Sequence, residues 1–252
     1  VSLAAIVLTK NEAQHIQACL ETLRFADLMV VFDSYSEDQT IAIAQAAGAE
    51  IQQRAFDHYA NQRNAAIQSV QGRAEWVLFV DADERVSPAL AAEILYTMRE
   101  DDRKCAGWRM PRHNYIFGRL TYGAGWYPDY QTRLLRVGAA RYDPTRKVHE
   151  IVLLDGGLGT LKEPLIHYNY RDRAQFVEKQ RRYTRYEAQI LYDSGIRPKP
   201  RNFVLQPLRQ FWWRFITLQG YRDGLHGLRL SLLMGWYEWR KYQILLRLWQ
   251  RS

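Results

Sequence analysis

Asp81-Ala82-Asp83 is the part of this sequence best suited to chemistry. Two carboxylates one residue apart, delivered by the apolar run Trp76-Val77-Leu78-Phe79-Val80, repel each other unless something offsets their charge. A hard divalent cation does so while keeping coordination sites open for phosphate oxygens, and it neutralises charge building on a diphosphate leaving group. Two further polar clusters also follow apolar runs. Thr9, Asn11 and Glu12 come after Leu3–Leu8, and Asp33 and Ser34 after Leu28–Phe32. Each is equally readable as a helix cap or turn residue. Three such clusters at strand ends point to one ligand-binding sheet edge.

The elements that must position these residues alternate. Strands are expected at Leu3–Leu8, Leu28–Phe32, Glu50–Gln53 and Trp76–Val80. Helices are expected from the Thr9–Glu12 turn to about Leu23, over Gln39–Ala47 and Asn61–Val70, and after Ser87. Ser87 is an N-cap with Pro88 in the first turn, and Leu90, Ile94, Leu95 and Met98 keep helical spacing. The pattern predicts an α/β fold, a mostly parallel, Rossmann-like sheet with helices on both faces. After Arg103 come short β-like pieces at Ala106–Met110, Arg133–Val137, Val148–Leu153 and Leu165–Tyr168, with a glycine- and aromatic-rich loop at Tyr115–Tyr130. From Asp172 three helical segments follow, punctuated by Pro198, Pro200 and Pro207 and then by Gly220 to Gly227. The expected division is a catalytic region over 1–170, with halves 1–103 and 104–170, and a helical extension over 171–252.

Charge is divided the same way. The chain of 252 residues has a formal net charge of +8. Residues 170–252 hold 17 basic and 6 acidic side chains, against 18 and 21 in the residues before them. Trp212, Trp213, Trp236, Trp239 and Trp249 are interleaved with Arg209, Arg214, Arg229, Arg240, Lys241 and Arg247. Such helices suit a membrane interface with anionic headgroups; packing on the rest of the chain is the alternative, and nucleic acid ranks below both. No apolar run approaches the roughly 20 residues of a membrane span. Leu3–Leu8 reads as a buried strand, not the core of a signal peptide. Two cysteines, Cys19 and Cys105, are too few for a disulfide framework. A cytoplasmic protein, peripheral on the inner face of the cytoplasmic membrane, is the expectation.

Several motifs, in order, resemble the family 2 glycosyltransferases of GT-A fold, nearest to the bacterial subgroup of lipopolysaccharide-core β-glucosyltransferases. They are Ile6-Val7-Leu8-Thr9-Lys10-Asn11-Glu12, Asp33-Ser34-Tyr35-Ser36-Glu37-Asp38-Gln39-Thr40, Asn61-Gln62-Arg63-Asn64 and Trp76 to Glu84. Gly125-Trp126-Tyr127-Pro128-Asp129-Tyr130-Gln131-Thr132-Arg133-Leu134, Val148-His149-Glu150 and His167-Tyr168 continue the series, which covers about the first 170 residues.

The resemblance implies a metal-dependent, inverting hexosyl transfer from a nucleotide-sugar, a UDP-sugar by family likeness, to the hydroxyl of a saccharide or lipid-linked acceptor in cell-envelope synthesis. It places Thr9, Asn11, Glu12 and Asp33 around base and ribose, and Asp81 and Ala82 by the ribose or sugar. Arg63 falls on the donor phosphates, with a surface arginine as the alternative. It makes Asp83 the main ligand of Mn2+ or Mg2+, joined by His149, with His167 as the competing histidine. Asp129 stands where the family supplies its general base. This sequence lacks the Glu-Asp pair of many relatives, so Asp129 carries the role alone or not at all, a turn aspartate after Pro128 being the alternative. Trp126, Tyr127 and Glu150 fall on the acceptor side, in or near a loop whose glycines permit closure.

Two other readings compete. A sugar nucleotidyltransferase shares the sheet and the carboxylate-bound metal but grips a triphosphate with a glycine-rich loop, and Thr9-Lys10-Asn11-Glu12 has no glycine. A non-catalytic membrane adaptor would have no use for the intact carboxylate cluster. The transferred sugar, the acceptor and the oligomeric state have no signature in the sequence.

Overall fold

The computed structural model describes residues 2–100, 104–145 and 151–251. The chain divides into two compact units, one of Val1–Arg112 with Tyr130–His167 and one of His113–Asp129 with Tyr168–Ser252.

The first unit is built on four parallel strands, β1 (Leu3–Thr9), β2 (Leu28–Asp33), β3 (Glu50–Gln53) and β4 (Trp76–Asp81), in the order β3-β2-β1-β4. Strand alternation sends successive side chains to opposite faces. Leu3, Ala5 and Val7 of β1 therefore join Val31, Trp76, Leu78 and Val80 in one core. Ala4 and Ile6 join Val30, Phe32, Val77 and Phe79 in the other. Helices α1 (Ile16–Glu21), α2 (Thr40–Ala46) and α4 (Pro88–Arg99) cover the first face through Ile16, Leu20, Ala44, Leu90 and Ile94. Helix α3 (Tyr59–Ser69) covers the second through Ala60, Ala66 and Ile67. This is the α/β arrangement with helices on both faces that the alternating pattern predicts.

Local chemistry sets the boundaries. Ser87 Oγ accepts a hydrogen bond from Leu90 N at 3.1 Å, starting α4. Helix α1 stops at Glu21, short of the expected Leu23, and the Thr22 hydroxyl donates back to the Cys19 carbonyl at 2.7 Å. The sheet continues from β4 into β8 (Asp129–Arg136), antiparallel, with Trp76 opposite Arg136 and Leu78 opposite Leu134. Then come β6 (Cys105–Ile116), β12 (Leu165–Tyr170) and the two-residue β5 (Glu84–Arg85). Strand β11 (Gly157–Thr160) runs beside β6, and β9 (Ala140–Tyr142) pairs with β10 (Val152–Leu154). The expected strand at Val148–Leu153 is described only from Val152.

β6 runs well past the expected Met110, through Pro111, and turns back at Ile116 into β7 (Arg119–Leu120). The segment expected to be an open loop from Tyr115 is thus partly a hairpin in the second unit. The rest of that unit is helical: α5 (Arg173–Asp193), α6 (Asn202–Trp212), a π-turn over Trp213–Thr217, a 3-10 turn over Gly220–Asp223, and α7 (Gly224–Arg251). Its core gathers Ile116, Tyr170, Phe176, Leu230 and Tyr237. Gly227 lets the start of α7 cross the 3-10 turn, since a Cβ there would lie 1.8 Å from the Gly220 carbonyl oxygen. No described helix is long and apolar enough to cross a membrane.

Candidate active site

Parallel pairing fixes which polar residues meet. Thr9 is in register with Asp33, and Leu8 with Asp81, so the ends of β1, β2 and β4 bring their polar residues to one edge of the first unit. The peptide groups beyond the strands have no ladder partner and must be satisfied locally.

Side chains of the two neighbouring loops do this. Asn11 N donates to Ser36 Oγ at 2.8 Å, and Glu37 N donates to Asn11 Oδ1 at 2.9 Å. Glu12 N donates to Thr40 Oγ1 at 2.7 Å and Ala13 N to Asp38 Oδ2 at 3.1 Å. Asn11 and Tyr35 take left-handed conformations, with φ of 58° and 59°, which non-glycine residues adopt rarely. The sequence shows Ser36, Asp38 and Thr40 as motif residues, but not that they stitch two loops together.

Asp33 is the buried centre of this stitching. Its Oδ1 accepts from Thr9 Oγ1 at 2.8 Å and Ser36 Oγ at 2.5 Å, and its Oδ2 from Ser36 N at 2.7 Å. Burial acts to raise its pKa, but the hydrogen bonds from Ser36, Thr9 and Gln53 outweigh it and hold the carboxyl below its ordinary value. With no surface of its own exposed, Asp33 orients the loop that follows β2.

The acidic triplet divides into two environments. Asp81 belongs to a network of arginines. Arg133 on β8 reaches both of its oxygens, with a short contact to Oδ2 and 3.3 Å to Oδ1. Arg63 Nη2 stands 3.5 Å from Oδ1. Arg133 also donates to Glu84 Oε1 at 3.0 Å, and Arg112 to the same oxygen at 3.2 Å. Glu84 Oε2 accepts from the Asp81 backbone N–H at 2.8 Å, which closes the turn of the triplet. Burial resists ionisation of Asp81, yet the charges of Arg133 and Arg63 and the Arg133 hydrogen bonds prevail, so its pKa lies far below the usual carboxylate range. The repulsion within the triplet, which the sequence suggests a cation must offset, is offset at Asp81 by guanidinium groups.

Arg63 is not a surface arginine. It is buried, with its guanidinium 4.9 Å from the Phe79 ring centroid and 5.5 Å from that of Tyr142. Its neighbour Asn64 clamps β9, accepting from Tyr142 N and donating to Tyr142 O, each at 2.8 Å. Ala82 is buried under the triplet.

Asp83 faces a histidine. His167 Nε2 lies 3.5 Å from Asp83 Oδ2, with the two side chains 9% and 27% exposed. Pairing of β12 with β5 holds this arrangement, since His167 is opposite Glu84. A carboxylate oxygen and an imidazole nitrogen at this spacing fit a shared divalent ion, with manganese better matched than magnesium to the nitrogen. No group of three or more potential protein ligands occurs among the described residues. His149 and Glu150 lie outside the described residues.

Of the expected acceptor residues, Trp126 and Tyr127 belong to the second unit. Buried Asn114 Nδ2 donates to the Trp126 carbonyl at 2.7 Å and to Asp129 Oδ2 at 3.2 Å, fixing both ends of the segment that carries Asp129. Trp126 packs edge-on to Tyr170 at 5.8 Å between ring centroids, and Tyr127 lies against His113 and Tyr122. The loop is tied to the helices. Tyr122 N and Gly123 N donate to the two Asp223 oxygens at 2.9 and 2.7 Å, and Arg214 Nη1 donates to the Ala124 carbonyl at 2.7 Å. A Cβ on Gly123 would fall 2.3 Å from the Gln219 carbonyl oxygen, so the glycine serves close packing here. Asn114 and Asp223 are the contributors that sequence patterns did not single out; Arg133 and Glu84 stand in the motifs, but their joint hold on the triplet does not show there.

Comparison with known proteins gives the same picture. The family model described as Glycosyl transferase family 2 matches residues 4–145, more than half of the chain. The lipopolysaccharide core biosynthesis glycosyltransferase LpsC of Rhizobium meliloti (strain 1021) is 29% identical over 236 residues, covering 89% of this chain and 84% of that protein. An uncharacterized glycosyltransferase of Rickettsia bellii (strain RML369-C) is 28% identical over 226 residues, with 84% and 74% covered. Among solved structures, glucosyl-3-phosphoglycerate synthase from Mycobacterium tuberculosis, in complex with Mn2+, uridine-diphosphate and phosphoglyceric acid, superposes with a TM-score of 0.49 at 14% identity, covering 79% of this chain and 80% of that one. With a family match that covers more than half of the chain and spans both acidic strand ends, the chain belongs to glycosyltransferase family 2.

Proposed function

We propose that this glycosyltransferase moves a hexose from a UDP-sugar to a hydroxyl of a cell-envelope glycolipid or polysaccharide, with inversion at the anomeric carbon. The observation that carries the reading is the separation of roles within the triplet: Asp81 is neutralised by Arg133 and Arg63, and Asp83 is aligned with His167. A carboxylate locked by arginines shapes the donor site, while one aligned with an imidazole is suited to hold a cation.

Thr9, Asn11 and Glu12, ordered by the loop around Asp33, would line the nucleoside. Asp83 and His167, with His149 as a further candidate, would hold Mn2+ or Mg2+, which supplies a Lewis acid for the departing diphosphate. Asp129 would take the proton from the acceptor hydroxyl as its oxygen bonds to the anomeric carbon and the bond to the diphosphate oxygen breaks. Asn114, hydrogen-bonded to Asp129, would hold that carboxylate in position. Trp126, Tyr127 and Glu150 would sit on the acceptor side. The similarity to LpsC supports an envelope glycolipid acceptor, and the basic helical region would meet it at the cytoplasmic face of the membrane.

A donor screen tests this. Turnover of a UDP-sugar that is abolished by EDTA, restored by Mn2+ and lost in Asp83→Ala is the expected result. Metal-independent turnover, or the absence of both turnover and donor binding across UDP-, GDP- and dTDP-sugars, would overturn it.

A further inference from the structure

Among the described residues, the outer face of α6 has no partner. One side of the helix packs on α7, where Pro207 and Phe211 meet Gly235 and the Phe203 ring lies 6.3 Å from that of Tyr242. The other side carries Val204, Leu205, Leu208 and Trp212, spaced to form one stripe and each 57–62% exposed. Trp213 and Ile216 extend it into the π-turn, and no residue of α6 is buried. An apolar stripe of this size left in water marks an interaction surface.

Charge identifies the occupant. Residues 195–217 contain no acidic side chain, and their Arg197, Lys199, Arg201 and Arg209 are exposed, while Arg214 is turned to the Ala124 carbonyl. A protein groove that takes an apolar helix needs no such one-sided charge, whereas an anionic bilayer requires both an apolar face to enter the acyl boundary and cations to meet the headgroups. Adjacent tryptophans at 212 and 213 suit the interfacial layer.

We propose that α6 and the π-turn are the membrane-docking element, lying in the plane of an anionic bilayer with Val204, Leu205, Leu208 and Trp212 inserted. This deepens the membrane contact suggested above by assigning it to one helix face and not to the basic tail in general. It rests on that membrane contact and not on sugar transfer.

The test is flotation of the full chain with phosphatidylcholine vesicles, with and without phosphatidylglycerol, at physiological ionic strength. Three proteins are compared: the unmodified chain, Leu205→Asp with Leu208→Asp, and Arg181→Ala with Arg185→Ala on α5. The unmodified chain and the α5 variant should float with the anionic vesicles. The α6 variant should bind at least about tenfold more weakly, since two apolar side chains would no longer insert. Both positions are solvent-exposed, and an unchanged melting temperature confirms that the α6 variant folds. No donor or acceptor is present, so vesicle binding is read independently of the transfer reaction. Failure of the unmodified chain to bind, equal binding by the α6 variant, or loss confined to the α5 variant would overturn the proposal. So would a dimer in sedimentation that the α6 substitutions dissolve, which would make a second copy the occupant.

Discussion

Arg133 holds Asp81 and Glu84 at once, with a terminal nitrogen 3.0 Å from Glu84 and the guanidinium spanning both Asp81 oxygens. The residue comes from β8, about 50 positions downstream of the triplet, and arrives there because β8 pairs antiparallel with β4. It converts a repulsive pair of acids into a fixed turn. Removing one partner of a buried charge network costs about 3–5 kcal/mol, because the remaining charge is left uncompensated. Arg133→Ala should therefore lower thermal stability sharply. Arg133→Lys should recover part of it, lacking the fork that reaches two carboxylates. Thermal melts of the two variants check this; an Arg133→Ala melt equal to that of the unmodified chain would contradict it.

Asp33 gives a prediction in pH. Its folded pKa lies below the unfolded value, so its stabilising contribution is complete above the unfolded pKa, about 3.9, and disappears as pH falls through the folded one. The stability gap between the unmodified chain and Asp33→Asn should be constant from neutral pH down to about 5 and narrow on further acidification. Denaturant titrations at several pH values measure it.

The Asp223 clamp predicts a local effect. Asp223→Ala leaves the Tyr122 and Gly123 amides without their carboxylate acceptors, a loss of about 1–3 kcal/mol at the buried Gly123 and less at the exposed Tyr122. Hydrogen exchange should accelerate at these two amides while the β1–β4 sheet keeps its protection. Turnover should fall through kcat, because the segment that carries Asp129 is loosened. Unchanged exchange at both amides would contradict the clamp.

Much of the fold follows from alternation along the chain. β1 to β4 and the three long C-terminal helices lie close to where periodicity and capping put them, because each buries a face whose pattern is local. The polar strand ends are visible for the same reason. The arginine network is not, since Arg63, Arg112 and Arg133 come from three separate elements and carry no shared spacing. β5 is a two-residue strand whose partner β12 is distant in sequence, and β9 has only three residues to carry a pattern. β6 continues through Pro111, a residue rare inside sheets, so its extension to the hairpin at Ile116 has no local signal. The Asn64 clamp on Tyr142 is equally non-local.

The central claim is that Asp83, beside His167, anchors the divalent ion that takes up charge from the nucleotide diphosphate. Calorimetric titration of Mn2+ into the full chain with saturating UDP tests it most directly. The account predicts one Mn2+ bound per chain, no detectable binding in Asp83→Ala, and affinity reduced about 10–100-fold in His167→Ala, the range for loss of a supporting group at a metal site. Mn2+ binding to Asp83→Ala with the affinity of the unmodified chain would contradict it.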